Sequence, residues 1–234
     1  MRSERLGGRG ELACLMTGCL ALTVPLVPAM HELAERWFAA HMLEHELLML
    51  IVAPLLVFGR IGTATLRAVP RRWRRSAAFH LAAAACRPVW TSITAPAPAW
   101  ILHALALWLW HVPSLFEAAL HSPPVHALQH LTLLSAAVVY WSSLTASRHG
   151  DAGQGVAVFS LFLTSLQCAL LGALLTLAGL PWYPEYPLLA DQQWAGLVMW
   201  VPTGLLYAVA VVPFLAQWLR DSESRARRWE AKFR

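Results

Sequence analysis

Two short stretches of the chain carry paired histidines at helical spacing: His41-Met42-Leu43-Glu44-His45 and His126-Ala127-Leu128-Gln129-His130. Each reads His-x-Leu-Glu/Gln-His, and each runs directly into apolar sequence, Leu47 to Phe58 and Leu131 to Trp141. Residues four apart on a helix lie about 40° apart around its axis, one turn up the same face. Each stretch therefore presents two imidazoles side by side where a helix meets the membrane. Neutral imidazole is a common ligand for copper, zinc and iron, and ionisable groups at membrane depth are functional candidates by default. The plainer alternative for either pair alone is a set of interfacial histidines bonded to water and carbonyls. The repetition of the pattern favours a metal site.

Other residues can join the two pairs. His111 closes an apolar run in Trp110-His111-Val112-Pro113, and Asp191 stands at the start of another. Asp191 equally suits a helix N-cap. Met42, Met49 and Met199 fit packing better than ligation; a thioether nevertheless suits cuprous copper, and Met42 is counted with the candidate ligands. His31 and His121 fall in loops and read as solvated. His103 lies inside an apolar run, where a hydrogen bond across helices is its natural role. The candidate metal set is thus His41, His45, His111, His126, His130, Asp191 and Met42. Cys14, Cys19, Cys86 and Cys168 form no CxxC pair and read as small packing residues.

The elements that must position these groups follow from composition and charge. Of 234 residues, 58% are hydrophobic and only 13% are charged. The charges are segregated, which is the profile of an integral membrane protein. The net charge of +5 comes from basic residues beside apolar spans, so membrane topology explains it better than nucleic acid does. Spans are expected at Leu12–Met30, Phe38–Gly59, Ala97–Trp110, Val125–Trp141, Gly155–Leu177 and Gln193–Leu215. The first also resembles a signal peptide with a weak site at Val27-Pro28-Ala29, but its length favours an uncleaved helix. Pro54 is expected to kink the second. Residues 76–91, bracketed by arginines, read as a helix lying on the inner surface, with a re-entrant segment as the alternative.

Arg2, Arg5 and Arg9, the run Arg60 to Arg87, Arg148, and the tail from Arg220 to Arg234 then fall on one side. The loops 113–124 and 179–191 hold no Lys or Arg and fall on the other. The positive-inside rule makes the first side cytoplasmic. The fold expected is an all-α, polytopic bundle of about six spans with both ends inside, in a bacterial cytoplasmic membrane. Its organisation is an N-terminal segment with the first span (1–36), a membrane helical domain (37–220) and a basic tail (221–234). Seven of the ten histidines then collect at the outer boundary: His31, His41, His45, His111, His121, His126 and His130.

Several motifs together resemble the CtaG-type cytochrome c oxidase assembly family: His-Met-Leu-Glu-His with Pro54 to Arg60, Leu107 to Pro113, the histidines 126 and 130 with Tyr140-Trp141, Leu170 to Thr176, and Pro187 to Gln193 running into Gly196 to Pro202. The match covers about residues 37–215 in order. It implies a part in making the terminal oxidase, through its copper site, with His41, His45, His111, His126 and His130 as the histidines carried over and Asp191 beside them. It also implies an oxidase subunit and a copper donor protein as partners, and no catalysis. Position 44 departs from the pattern, being Glu where Gln is usual, and Glu46 adds a second acid. The front of the chain looks short for the family, which often has a further span.

Three other functions compete. His41-x-x-Glu44-His45 matches the inverted zinc-hydrolase pattern, although Gln129 in the second copy cannot serve as a base. A haem-binding membrane electron carrier would use histidines as axial ligands, for which adjacent pairs at the water boundary are poorly suited. A transporter would show discontinuous helices near the midplane, and Pro54 is the single hint of one.

Overall fold

The computed structural model describes residues 8–146 and 153–232. Arg2, Arg5, Arg148, His149 and Arg234, which bear on the charge argument, lie outside the described residues. Within them the fold is all helical: α1 (Gly8–Thr23), α2 (Pro28–Arg36), α3 (Phe38–Glu46), a π-helical segment (Leu47–Val52), α4 (Ala53–Phe58), α5 (Ile61–Ala68), α6 (Arg71–Arg74), α7 (Ala77–Ile93), α8 (Pro96–Trp110), α9 (Pro113–His121), α10 (Pro123–Ala146), α11 (Gly153–Leu177) and α12 (Leu189–Lys232).

Among the described residues four stretches are long and apolar enough to cross a bilayer: Gly8–Leu26, Phe38–Phe58, Gly153–Leu177 and Leu189–Arg227. The bent pair α7 and α8 makes a fifth if it is one span. The six expected spans are therefore an approximate count. At 24 residues, α10 is about 36 Å long and spans by length, but His126, Gln129, His130 and its hydroxyl residues make it less apolar than the other four. The first apolar run is also interrupted. It ends near Leu26, where Pro25 and Pro28 break the helix, and α2 follows as a separate element. α7 turns 77° away from α8 and buries none of its residues.

The distribution of polarity is that of a protein in lipid. α11 turns Phe159, Phe162, Leu166 and Leu170 outward and buries Ser160, Thr164 and Gln167. A hydrocarbon solvent takes the apolar face, and polar groups must pair inside the bundle. They do so across helices. Glu46 accepts from Thr203 on α12 at 2.6 Å, Thr164 bonds the Tyr140 phenol at 2.9 Å, and the Gln167 amide donates to His103 Nδ1 at 3.3 Å.

Without a hydrophobic drive between helices, close backbone approach must hold them together. Glycine supplies it at two seams. A Cβ on Gly172 would stand 2.8 Å from the Gly196 carbonyl, so α11 and α12 meet backbone to backbone. A Cβ on Gly59 would stand 2.5 Å from the Leu15 amide, which docks α1 against the end of the second span.

The expected kink at Pro54 takes the form of the π turn before it. In that register the Ala53 amide bonds the Leu48 carbonyl. The next bond would run from residue 54 to Met49, but proline has no N–H to give. The Met49 carbonyl instead accepts from the Trp141 indole of α10 at 3.1 Å. One side chain thus closes the gap and joins the second span to α10. Trp141→Phe keeps most of the packing and leaves that carbonyl unpaired. The expected cost is about 1 kcal/mol, read as a lower midpoint in thermal unfolding of the detergent-solubilised protein. An unchanged midpoint would show that the bond contributes nothing.

Candidate metal centre

The N-terminus of α3 fixes where its histidines sit. Trp37, the residue before the helix, is extended and offers no side-chain cap. The orphan amides of the first turn are met from elsewhere: Asp191 accepts from Phe38 N at 2.7 Å and from Ala39 N at 3.1 Å. Asp191 lies in the first turn of α12, so one carboxylate pins the starts of two helices together.

The connection between α11 and α12 completes the frame. The Tyr186 hydroxyl donates to the Ala34 carbonyl at 2.6 Å, and the Tyr183 hydroxyl to the His111 carbonyl at 2.9 Å. Burial pushes both phenols up, so they remain protonated donors. Gln192 accepts from the Trp182 amide at 2.6 Å and returns a bond to Leu175 at 3.2 Å. Phe38, Phe116, Tyr183 and Tyr186 pack edge and face against one another with centroids 4.2–6.3 Å apart. This aromatic block seals one side of the histidines.

Inside the frame five of the predicted histidines converge. Ring centroids lie 4.6 Å apart for His41 and His45, 4.2 Å for His126 and His130, 5.3 Å for His41 and His126, 5.3 Å for His45 and His130, and 6.3 Å for His45 and His111. One nitrogen each from His41, His126 and His130 lies within 4.8 Å of the others, close enough to hold one metal ion. Burial is deep, with His41 at 1% and His45 at 2% exposure. Yet His41 Nε2, both nitrogens of His45, His126 Nε2 and His130 Nε2 have no hydrogen-bond partner in the protein. Buried polar atoms are normally paired, and here a whole group of imidazole nitrogens converges without partners among the described residues. Metal ligation satisfies such a set.

The remaining candidates divide. His111 Nδ1 donates to the Leu107 carbonyl at 2.7 Å, and its Nε2 faces the Met42 sulfur at 3.4 Å. Burial pulls this imidazole, just past the end of α8, down to about 4 against the smaller opposing effect of that backbone bond, so it is neutral near pH 7. Asp191 was expected beside the cluster as a carboxylate ligand. Both its oxygens are engaged by the α3 amides instead, so it caps a helix, and not the helix it begins. Met49 and Met199 pack in the core. His121 pairs with Glu185 at 3.4 Å.

Two residues join that sequence reasoning left out. His31, expected to be merely solvated, stacks within 5.5 Å of His126 and pairs with Glu35 at 3.3 Å on the exposed face of α2. Its i,i+4 partner was the available signal. The carboxylate at the cluster is Glu44, fully buried, with one oxygen 3.9 Å from His130 Nε2 and neither oxygen hydrogen-bonded.

Asp191→Ala removes both α3 caps and is expected to cost about 1–2 kcal/mol, with Asp191→Asn losing less because one acceptor survives. The check is thermal unfolding of both variants beside metal retention. Metal lost at an unchanged midpoint would make Asp191 a ligand after all.

The chain can be set beside known proteins on this geometry. Residues 1–221 match the profile of the family described as cytochrome c oxidase caa3 assembly factor (Caa3_CtaG). "Uncharacterized protein ML1998" of Mycobacterium leprae (strain TN) is 24% identical over an alignment of 240 positions that takes in 91% of this chain and 34% of that protein. The chain thus spans about a third of the length of this relative. No solved structure matches it. With nearly its whole length matched and its histidines gathered from separate helices at one end of a membrane bundle, the chain belongs to the cytochrome c oxidase caa3 assembly factor family.

Proposed function

We propose that this chain serves oxidase assembly by holding copper at its histidine cluster and passing it to an oxidase subunit in the same membrane. The observation that carries this reading is the group of buried imidazole nitrogens from α3 and α10 that converge without protein partners. Membership of an oxidase assembly family supports the destination. The arginines of α5 and α6 follow the end of the second span opposite its histidines, and by the positive-inside rule this supports histidines on the outer face of a bacterial cytoplasmic membrane, where a copper donor would approach.

The chemistry suits cargo better than catalysis. Imidazole binds either copper state. Transfer also needs a ligand that can be reached from outside. His126 is only partly buried, and His31 stands beside it on the exposed face. Glu44, the base a hydrolase would need, is wholly buried.

The test is metal content of the full chain purified in detergent, loaded with cuprous ion under reducing conditions. Copper bound by the wild type and reduced in both His41→Ala/His45→Ala and His126→Ala/His130→Ala is the expected result, because His41 on one helix and His126 and His130 on another build the shared site. In cells lacking the chain, the same variants should fail to restore copper to the oxidase. Zinc in place of copper, with an activity lost in Glu44→Gln, would move the reading to a hydrolase. No metal in any preparation would end it.

A further inference from the structure

The histidine cluster is not uniform. On its open side His126 and His130 keep some exposure, and His31 and Glu35 continue the line to the surface. On its closed side lie Met42, fully buried, and His111, at 3% exposure, behind the aromatic block. The nitrogens of His41, His126 and His130 group together on the open side. The Met42 sulfur faces His111 instead.

That contact has an unusual composition. A carbonyl can only accept, so the 2.7 Å bond to Leu107 places the His111 proton on Nδ1. Nε2 then carries a lone pair, and it points at a thioether sulfur, which carries lone pairs of its own. Two donors of electron density face each other at 3.4 Å with no proton between them. Metal bonds to sulfur and to imidazole nitrogen are about 2.3 Å and 2.0 Å, so two such ligands at a tetrahedral angle stand about 3.5 Å apart. His45 lies next to this pair, its ring 6.3 Å from that of His111, with both nitrogens unpartnered.

We propose that Met42 and His111, with His45 beside them, form a second, soft metal site that takes monovalent copper and is distinct from the site of His41, His126 and His130. A soft thioether favours the cuprous ion over cupric copper, so the closed site admits one oxidation state where the open site admits both. His45 borders both groups, 4.6 Å from His41 and 5.3 Å from His130 between ring centroids, and links the two in series. The ion enters among accessible imidazoles and comes to rest against sulfur. This rests on the copper reading of the whole cluster and adds a division of labour within it.

The experiment is X-ray absorption at the copper edge on the full chain in detergent, loaded anaerobically with cuprous ion, together with copper stoichiometry. The wild type should show a sulfur scatterer beside nitrogen. Met42→Leu, which conserves volume, should lose the sulfur signal and about half of the bound copper while keeping a nitrogen-only site. Met49→Leu, a core methionine of the same span, should change neither. His126→Ala/His130→Ala should do the reverse of Met42→Leu, keeping sulfur and losing nitrogen-only copper. Nitrogen-only copper in the wild type, or sulfur that survives Met42→Leu, overturns the second site and leaves the first standing. No copper in the wild type overturns both.

Discussion

The arrangement depends on how the second span begins. An apolar helix that starts at the edge of a bilayer exposes amides that neither lipid nor its own turn can satisfy. Here the partner comes from 153 residues away, in the carboxylate of Asp191. Because Asp191 also belongs to the first turn of α12, the two helices start in register, and His41, Met42 and His45 face inward at a set height. Tyr183 and Tyr186 then tie the same corner to the end of α8 and to α2. Three of the elements that carry histidines are thus held by one loop and one carboxylate.

Within that frame the bundle treats its polar groups in two ways. Away from the cluster several are paired across helices, as Glu46 with Thr203, His103 Nδ1 with Gln167 and Tyr140 with Thr164. Among the histidines they are not. An unpaired buried polar atom costs about 1–3 kcal/mol, and several occur together at His41, Glu44, His45, Gln129 and His130. His103 Nε2 and Trp100 Nε1 also lack partners among the described residues, so what sets the histidine cluster apart is the number of such atoms gathered there.

Much of this was legible in the residues themselves. The His-x-Leu-x-His pairs, their position beside apolar runs and the segregated arginines are local patterns, and they led to a helical membrane protein with histidines gathered at one end. Which histidines come together was not local. It depends on how α3 faces α10, set by the Trp141 bond to Met49 and by contacts that no spacing encodes. Asp191 shows the same limit. Its position before a helix suggested a cap, but the helix it caps is another one. His31 was passed over because a loop was expected where α2 folds back to lay its face beside His126. Glu44 looked like a departure from a pattern, and only the packing revealed it as the carboxylate of the cluster. The span count is approximate for a related reason, because α10 is long enough to span but carries His126, Gln129 and His130 among its apolar residues.

The π segment between His45 and Pro54 has a consequence for how this span tolerates change. A π turn holds one residue more than the α-helix it replaces. The outer half of the span, here the half with His41 and His45, and the inner half, with Pro54 and Gly59, therefore follow two different helical phases. Loss of a single residue anywhere in Leu47–Val52 would merge the phases and rotate the outer half by about 100° relative to the inner. The hydropathy of the span would barely change, and insertion into the membrane would proceed as before. The imidazoles would nonetheless turn away from α10. In this protein the length of an apolar stretch, where composition is usually what matters, carries positional information to the single residue.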